Sequence, residues 1–344
     1  MFQDFDGIKS AFLVGDGLEF NTLLIYSAPD SLPMDISNAR LGTIREYYSS
    51  LVQSVNSFLA PFERVINYAI IKRDFNSDDE LTQKGTYKRK HILKNFSEII
   101  NPMYEKNHIT LSYKNYQIHI PNWLLREKGV SRNDVKWNGS KITIKNNKIR
   151  LKLSWGNSRL VIGDFTYHTL ENSLDLQKLL LSPELWLGNN TFAKFIGKSA
   201  FRITKFETIK NLQLEFPTMI DHTDKDREDI GHSVSLPDLG DLHKATRQLY
   251  AGHLHGFIPY NYLLTSNHGD LTRIAFNILL GFRNCTDPSF RMKAMEAMLP
   301  ELSGELFFEL LSGTHQQYYE EKSKNILTVN VELLKDNHFE AILS

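Results

Sequence analysis

A single cysteine, Cys285, among 344 residues excludes an internal disulfide and suits a reducing compartment, so a cytoplasmic location is expected. Net charge is missing too. Forty basic and forty acidic side chains cancel, leaving no whole-protein field to draw in nucleic acid. No apolar run approaches the roughly 20 residues that cross a bilayer, so no transmembrane segment is expected. The N-terminal stretch MFQDFDGIKSAFLVGDG has neither the basic start nor the long apolar core of a signal peptide. Phosphate-loop patterns of the GxxxxGK(S/T) or GxGxxG kind do not occur, nor does the GxSxG nucleophile elbow.

What is present is the composition of a folded globular chain, 41% hydrophobic and 23% charged, long enough for two or three domains. The apolar run AFLVG, closed by Gly15-Asp16-Gly17, and the run Phe20 to Tyr26 read as two strands at hairpin distance. Asp16 or Gly17 supplies the positive φ that the turn needs. About ten residues precede the first strand, an abrupt start expected of a piece of a longer protein. Ile44, Tyr48, Leu51, Val52, Val55, Phe58 and Leu59 recur at three- and four-residue steps and predict an amphipathic helix over 37–60. Pro61 ends it, and Val65 to Ile71 reads as a return strand. A polar bend (76–80) and a basic cluster follow: Lys84, Lys88, Arg89, Lys90, His91 and Lys94. A helix over 88–100, stopping before Pro102, completes a small α+β unit over residues 1–106.

Residues 107–170 alternate apolar and polar side chains, as half-buried strands do, and predict a small antiparallel β module. Asn138-Gly139 and Asn146-Asn147 mark its turns, Pro121 to Lys128 a short helix, and Arg159 to Tyr167 one further strand. Residues 171–240 form a mixed segment and linker in which helical spacing resumes at Leu174. Residues 241–344 read as an all-α region, with helices over 241–252, 270–284, 288–299, 303–312 and 315–323. Asp287-Pro288 is a helix-start signal, an N-cap before proline at the first position. Pairs of short helices about 40 residues apart suit a HEAT-type solenoid, and a non-repeating bundle fits the same spacing. The fold class is therefore α+β, multidomain.

Several clusters carry more than one reading. His243, His253, His255 and His268, with Asp241 and Asp270 nearby, have the residue types of a zinc site. Local helical periodicity, however, puts residues two apart on different faces, so no metal site is expected. His222, Asp224, Asp226, Glu228, Asp229 and His232 match no EF-hand spacing and read as a solvated acidic loop. Cys285 has no identifiable base beside it and is not read as a nucleophile.

Three stretches carry a resemblance. VGDGLEFNTLLI, VNSFLAPFERVINYAI and ELTQKGTYKRKHILKNFSEIINPMY occur in this order within the first 104 residues. They resemble the strand–turn–strand VGDGR…LTALI, the segment VNxxL(A/S)P(F/Y)ERI and the ELTPTLKLKRK stretch of the C-terminal lid subdomain of long-chain acyl-CoA synthetases, AMP-forming adenylating enzymes. The resemblance implies a lid that brings a lysine against phosphate and carboxylate oxygens during adenylation, then rotates to admit the thiol of coenzyme A. It implies ATP, magnesium and coenzyme A for an intact parent, none of them held by this chain alone. The partner it implies is the upstream adenylation body.

The sequence departs from that pattern at the chemistry. Aligning Glu80-Leu81-Thr82 and Arg89 with the family sets Thr86 where the catalytic lysine is expected. Lys84 and Lys88 lie two residues to either side, and Gly85 gives Lys84 the better freedom to reach the same point. Two functions follow. In one, the chain is the distal part of a fatty acid–CoA ligase-like protein, inactive without its nucleotide- and acyl-binding body. In the other, it is a non-catalytic binding or scaffold module whose helical region docks a protein partner.

Overall fold

A computed structural model describes residues 5–27, 41–144, 149–217, 236–266, 268–282 and 285–298. The chain falls into two compact units. The first comprises residues up to Arg150 together with Asn172–Gln177, the second Leu151–Glu171 with the residues from Lys178 on. The architecture is α+β, as the sequence predicts.

The first unit is built on a three-stranded sheet in the order β1 (Ser10–Val14), β2 (Asn21–Tyr26), β3 (Val65–Ile71). β1 and β2 form the expected antiparallel hairpin, with Gly17 at φ 70°. β2 and β3 run parallel, joined by a crossover that contains helix α1 (Leu41–Asn56). A central strand is buried on both faces, and β2 shows the period of two this imposes. Leu23 and Ile25 pack against Tyr48 and Val52 of α1, while Leu24 packs with Phe12, Phe75, Ile92 and Phe96 on the opposite side. Between the pairs Asn21↔Val65 and Thr22↔Asn67 the register slips by one residue. That bulge reverses the parity of β3, so Val65 and Tyr68 face α1 and Ile71 faces the other layer.

The helix expected over 88–100 is two helices, α2 (Arg89–Asn95) and α3 (Ser97–Tyr104), broken at Phe96. α3 runs through Pro102 instead of stopping before it. The break restarts the helix, so the proline forfeits one backbone bond near an exposed end. Buried Ile100 and Met103 hold the helix on either side of it. Tyr104 closes the layer. Its hydroxyl lies 3.2 Å from Val14 O and 3.1 Å from Phe20 O and shares a hydrogen bond of 3.0 Å with Thr22 Oγ1, so the last helix clamps the first hairpin.

Beyond it, β4 (His108–Tyr113) and β5 (Tyr116–Pro121) pair antiparallel, and β6 (Val135–Trp137) pairs with β7 (Lys141–Ile144) across the Asn138-Gly139 turn. Helix α4 (Asn122–Lys128) lies between them. Arg64 joins this helix to the sheet: Nη1 donates to Arg126 O at 2.9 Å and Glu127 O at 2.8 Å, and Nε to Leu59 O at 3.1 Å. A cation on the last carbonyls of a helix answers both its unpaired acceptors and its dipole.

In the second unit β8 (Ile149–Gly156), β9 (Arg159–Ile162), β10 (Phe165–His168) and β12 (Gln213–Leu214) are antiparallel neighbours. The single strand expected over 159–167 is thus a hairpin, turned at Gly163 with φ 58°. Leu174, expected in a helix, lies in β11 (Ser173–Asp175), which belongs to the first unit and pairs parallel with β5. Only at Leu176 does helix α5 (Leu176–Leu180) begin. After α6 (Asn190–Ile196) come α7 (Leu239–Tyr250), α8 (Ile258–Ser266), α9 (Asp270–Gly281) and α10 (Pro288–Met298). Helix α8 escaped the periodicity because it is apolar on most sides. Asp287 caps α10, its Oδ1 accepting from Ser289 N at 2.8 Å. The Asn146-Asn147 turn, the acidic loop and the helices expected over 303–312 and 315–323 lie outside the described residues.

Asn56 tests the first unit. Fully buried, it donates Nδ2–H to Val65 O at 2.7 Å and accepts from Val65 N at 2.9 Å, fastening the end of α1 to β3. Asn56→Ala leaves two buried backbone groups unpaired and is expected to cost about 2–3 kcal/mol. Ser57→Ala, one residue on and exposed, stays within about 0.5 kcal/mol by urea denaturation.

Candidate functional site

The loop between β3 and α2 is organised by one carboxylate. Glu80 has no solvent exposure, and its oxygens are met by four donors. Arg73 binds in a fork, Nη1 to Oε2 at 2.8 Å and Nη2 to Oε1 at 2.7 Å. Asn76 N donates to Oε2 at 2.7 Å and Asn95 Nδ2 to Oε1 at 2.8 Å. A bidentate guanidinium with further donors strongly favours the charged acid. Arg73, with help from Asn95 and Asn76, holds the Glu80 carboxyl down at about 2 against the cost of burial. The Glu80 backbone works as well: its N–H donates to Asn76 O at 2.9 Å and its carbonyl accepts from Lys88 N at 2.8 Å.

From this anchor a short hairpin projects. Leu81 and Tyr87 form its base, Thr82 N donates to Thr86 O at 2.8 Å, and Gly85 N donates to Thr82 O at 2.8 Å. With Gly85 at φ 75°, the turn Thr82-Gln83-Lys84-Gly85 is the three-residue hairpin loop in which a left-handed residue follows the bend. The ring of Tyr87 packs edge-on against Phe12 and Phe75, fixing the hairpin to the core. Glycine is needed here for its φ alone, since open space surrounds the position a Cβ would take.

The three residues singled out from the sequence occupy different environments on this hairpin. Lys84 sits at its tip, exposed, and among the described residues its ammonium meets no partner. The Thr86 side chain is exposed and shares a 2.7 Å hydrogen bond with Thr82 Oγ1. Lys88 is tethered, Nζ donating to Asp78 O at 2.9 Å. Arg89 is also engaged, with Asp16 Oδ2 at 2.9 Å, Leu13 O at 3.0 Å and the face of Phe12. The hairpin therefore offers one uncommitted cation, on a loop whose base is rigid.

The Glu80-Leu81-Thr82 motif gives Glu80 no role of its own, and no motif gives one to Arg73 or Asn95. The signal was weak: an Arg and a Glu seven apart flanking a polar bend. Phe58 and Phe62 also escape the sequence reading. The helical period assigns Phe58 to a buried face, whereas it is 84% exposed and Phe62 is 73% exposed. α1 ends at Asn56, before that period reaches Phe58.

The other sequence clusters resolve differently. His243 is buried, accepts Gly188 N–H on Nδ1 at 3.0 Å and packs against Trp186 and Phe201. Burial pulls its imidazole down to about 4, so it is neutral at physiological pH. Among the described residues no group of three His, Cys, Asp or Glu is placed to hold a metal. The Cys285 thiol is buried and pushed above its ordinary value by that burial, away from thiolate reactivity. Among the same residues no helix is long and apolar enough to cross a membrane.

The pH dependence of the hub follows from its sign. A carboxyl ordinarily near 4.5 and held at about 2 contributes stability that is complete above 4.5 and lost as pH falls toward 2. The interval corresponds to about 3 kcal/mol. Glu80→Gln is expected to destabilise the first unit by about this much at pH 7 and to flatten the acid limb of the unfolding curve. Near-UV circular dichroism of the Phe12, Phe75 and Tyr87 cluster against pH reads both effects.

No curated protein and no solved structure matches the chain. One family does: residues 3–108 match the AMP-binding enzyme C-terminal domain. The match spans the three-stranded sheet, the Glu80 hub and the Lys84 hairpin, and it is consistent with a C-terminal subdomain of an AMP-binding family protein.

Proposed function

We propose that residues 5–104 act as the closing lid of an acyl-CoA synthetase-like, AMP-forming ligase, and that Lys84 is the lid's cation. The observation that carries this is the free ammonium of Lys84 at the tip of a hairpin anchored by Glu80. Adenylation develops negative charge on the carboxylate and on the phosphates of ATP, and a lysine brought in by lid closure stabilises it where water is excluded. Thr86 carries no charge, and Lys88 is spent on a backbone carbonyl. The exposed pair Phe58 and Phe62 suits a surface that the adenylation body covers. That body would bind ATP, magnesium and the acyl group. The lid residues then supply positioning and charge, and the tunnel for coenzyme A forms on rotation.

A second reading rests on Thr86. A hydrogen-bonded threonine stands where the family aligns its lysine. A lid that has lost chemistry would keep its fold, leaving the chain a binding module.

One experiment separates the two. In the polypeptide that includes the adenylation body, Lys84→Ala is expected to lower acyl-adenylate formation, read by pyrophosphate exchange, about 10²-fold or more. Lys88→Ala should lower it by less than about threefold. An unchanged rate in Lys84→Ala would remove the catalytic assignment and leave the binding module.

A further inference from the structure

Away from the hairpin, a corner of the first unit gathers positive charge that lid chemistry does not use. Arg132, in the turn before β6, lays its guanidinium 5.5 Å from the centre of the Phe20 ring, which is itself stacked on Tyr104. Its contacts are long: Nη2 reaches Lys106 O at 3.4 Å and Asn122 Oδ1 at 3.3 Å. Its Nε–H is buried with no acceptor. Arg126 of α4 reaches the residue before Phe20, donating Nη1 to Glu19 O at 3.1 Å, and its Nε–H is likewise buried and unanswered. Lys106 is exposed beside them. Next to it, on β4 and β5, the rings of His108 and His119 stack at 4.5 Å with an 8° tilt.

Five groups able to carry positive charge thus sit together, and among the described residues no carboxylate lies within 4.0 Å of Arg126, Arg132 or Lys106. The carboxylates of the neighbourhood are Glu19, which acts on Arg132 from the β1–β2 turn, and Asp175, next to His119 in the β5–β11 register. Burial works against the charge of Arg132, with Glu19 opposing that effect, and a fork-shaped donor set matches the geometry of a tetrahedral oxyanion.

We propose that Arg126, Arg132 and Lys106, flanked by the His108–His119 stack, form a binding site for a phosphoryl group of the phosphomonoester or diphosphate class. The site is separate from the Lys84 hairpin and does not depend on its role. Burial and the neighbouring His119, Lys106 and Arg132 hold His108 below its ordinary value, with Asp175 opposing. A bound dianion supplies the missing negative charge, so His108 takes up its proton at higher pH when the site is filled. Binding accordingly tightens as pH falls toward the histidine range.

The test uses the full chain. Histidine NMR titrations in inorganic phosphate and in chloride, at equal ionic strength, should differ at His108, with the phosphate curve displaced to higher pH. Calorimetry with pyrophosphate should show binding in the wild type that weakens at least tenfold in Arg132→Met. It should also weaken in Arg132→Lys, which keeps the charge and loses the fork. A thermal melt of Arg132→Met without ligand establishes that the variant is folded. Identical His108 curves in the two salts would overturn the site. So would undiminished pyrophosphate binding in a folded Arg132→Met. Equally tight binding of acetate would overturn the phosphoryl assignment.

Discussion

The loop that carries Lys84 depends on the ionised Glu80 carboxylate. Four donors from three segments converge on it: Arg73 at the end of β3, Asn76 in the bend and Asn95 on α2. Each alone is a surface or loop residue with little reason to hold still. Taken together they fix the bend, the base of the hairpin and the first helix after it with one buried charge. Removing one partner of such a set costs more than the interaction contributed, because the remaining charge stays desolvated. The hub also explains why a loop of polar residues can present a side chain reproducibly. Its rigidity comes from electrostatics at the base, and only the tip is left free.

The sheet beneath is held by comparable devices at the ends of its elements. Asn56 ties the end of α1 to β3, Tyr104 ties α3 to the β1–β2 hairpin, and Arg64 ties β3 to α4. The three family-like stretches correspond to these joints. VGDG is the turn, the Asn and Arg of VNSFLAPFER are two of the fasteners, and the final Tyr of the third stretch is another. What resembles a motif in the sequence is here a set of polar contacts that close a small three-layer unit. The first unit continues past the family's boundary without a break in bonding, since Arg64 and the Ser49–Ser131 hydrogen bond of 3.0 Å both cross it.

Much of this fold was legible beforehand, because strands and helices write their period into the apolar positions. The ends of β1, β2 and β3 fall within a residue or two of the expected ones, as alternation and turn residues agree there. Where the reading failed, local signals competed with packing. Pro102 predicts a stop, but buried Ile100 and Met103 outweigh one lost backbone bond. Leu174 has helical neighbours in sequence and a strand partner in space, Ile118 of β5. Helix α8 carries apolar residues on most sides and so shows no period.

The sequence alone carries the α+β class, the order of the elements from β1 to β3, the candidate residues Lys84, Thr86 and Lys88, and the family resemblance that the match over residues 3–108 bears out. Those properties are local: they depend on spacing along the chain. Only the tertiary structure decided which of the three residues has its side chain free. That answer depends on Thr82, Asp78 and Glu80 closing around the hairpin. The cluster of Arg126, Arg132, Lys106, His108 and His119 likewise exists only after β4, β5 and α4 fold back beside Phe20. Charge density in space has no counterpart in a sequence whose charges sum to zero.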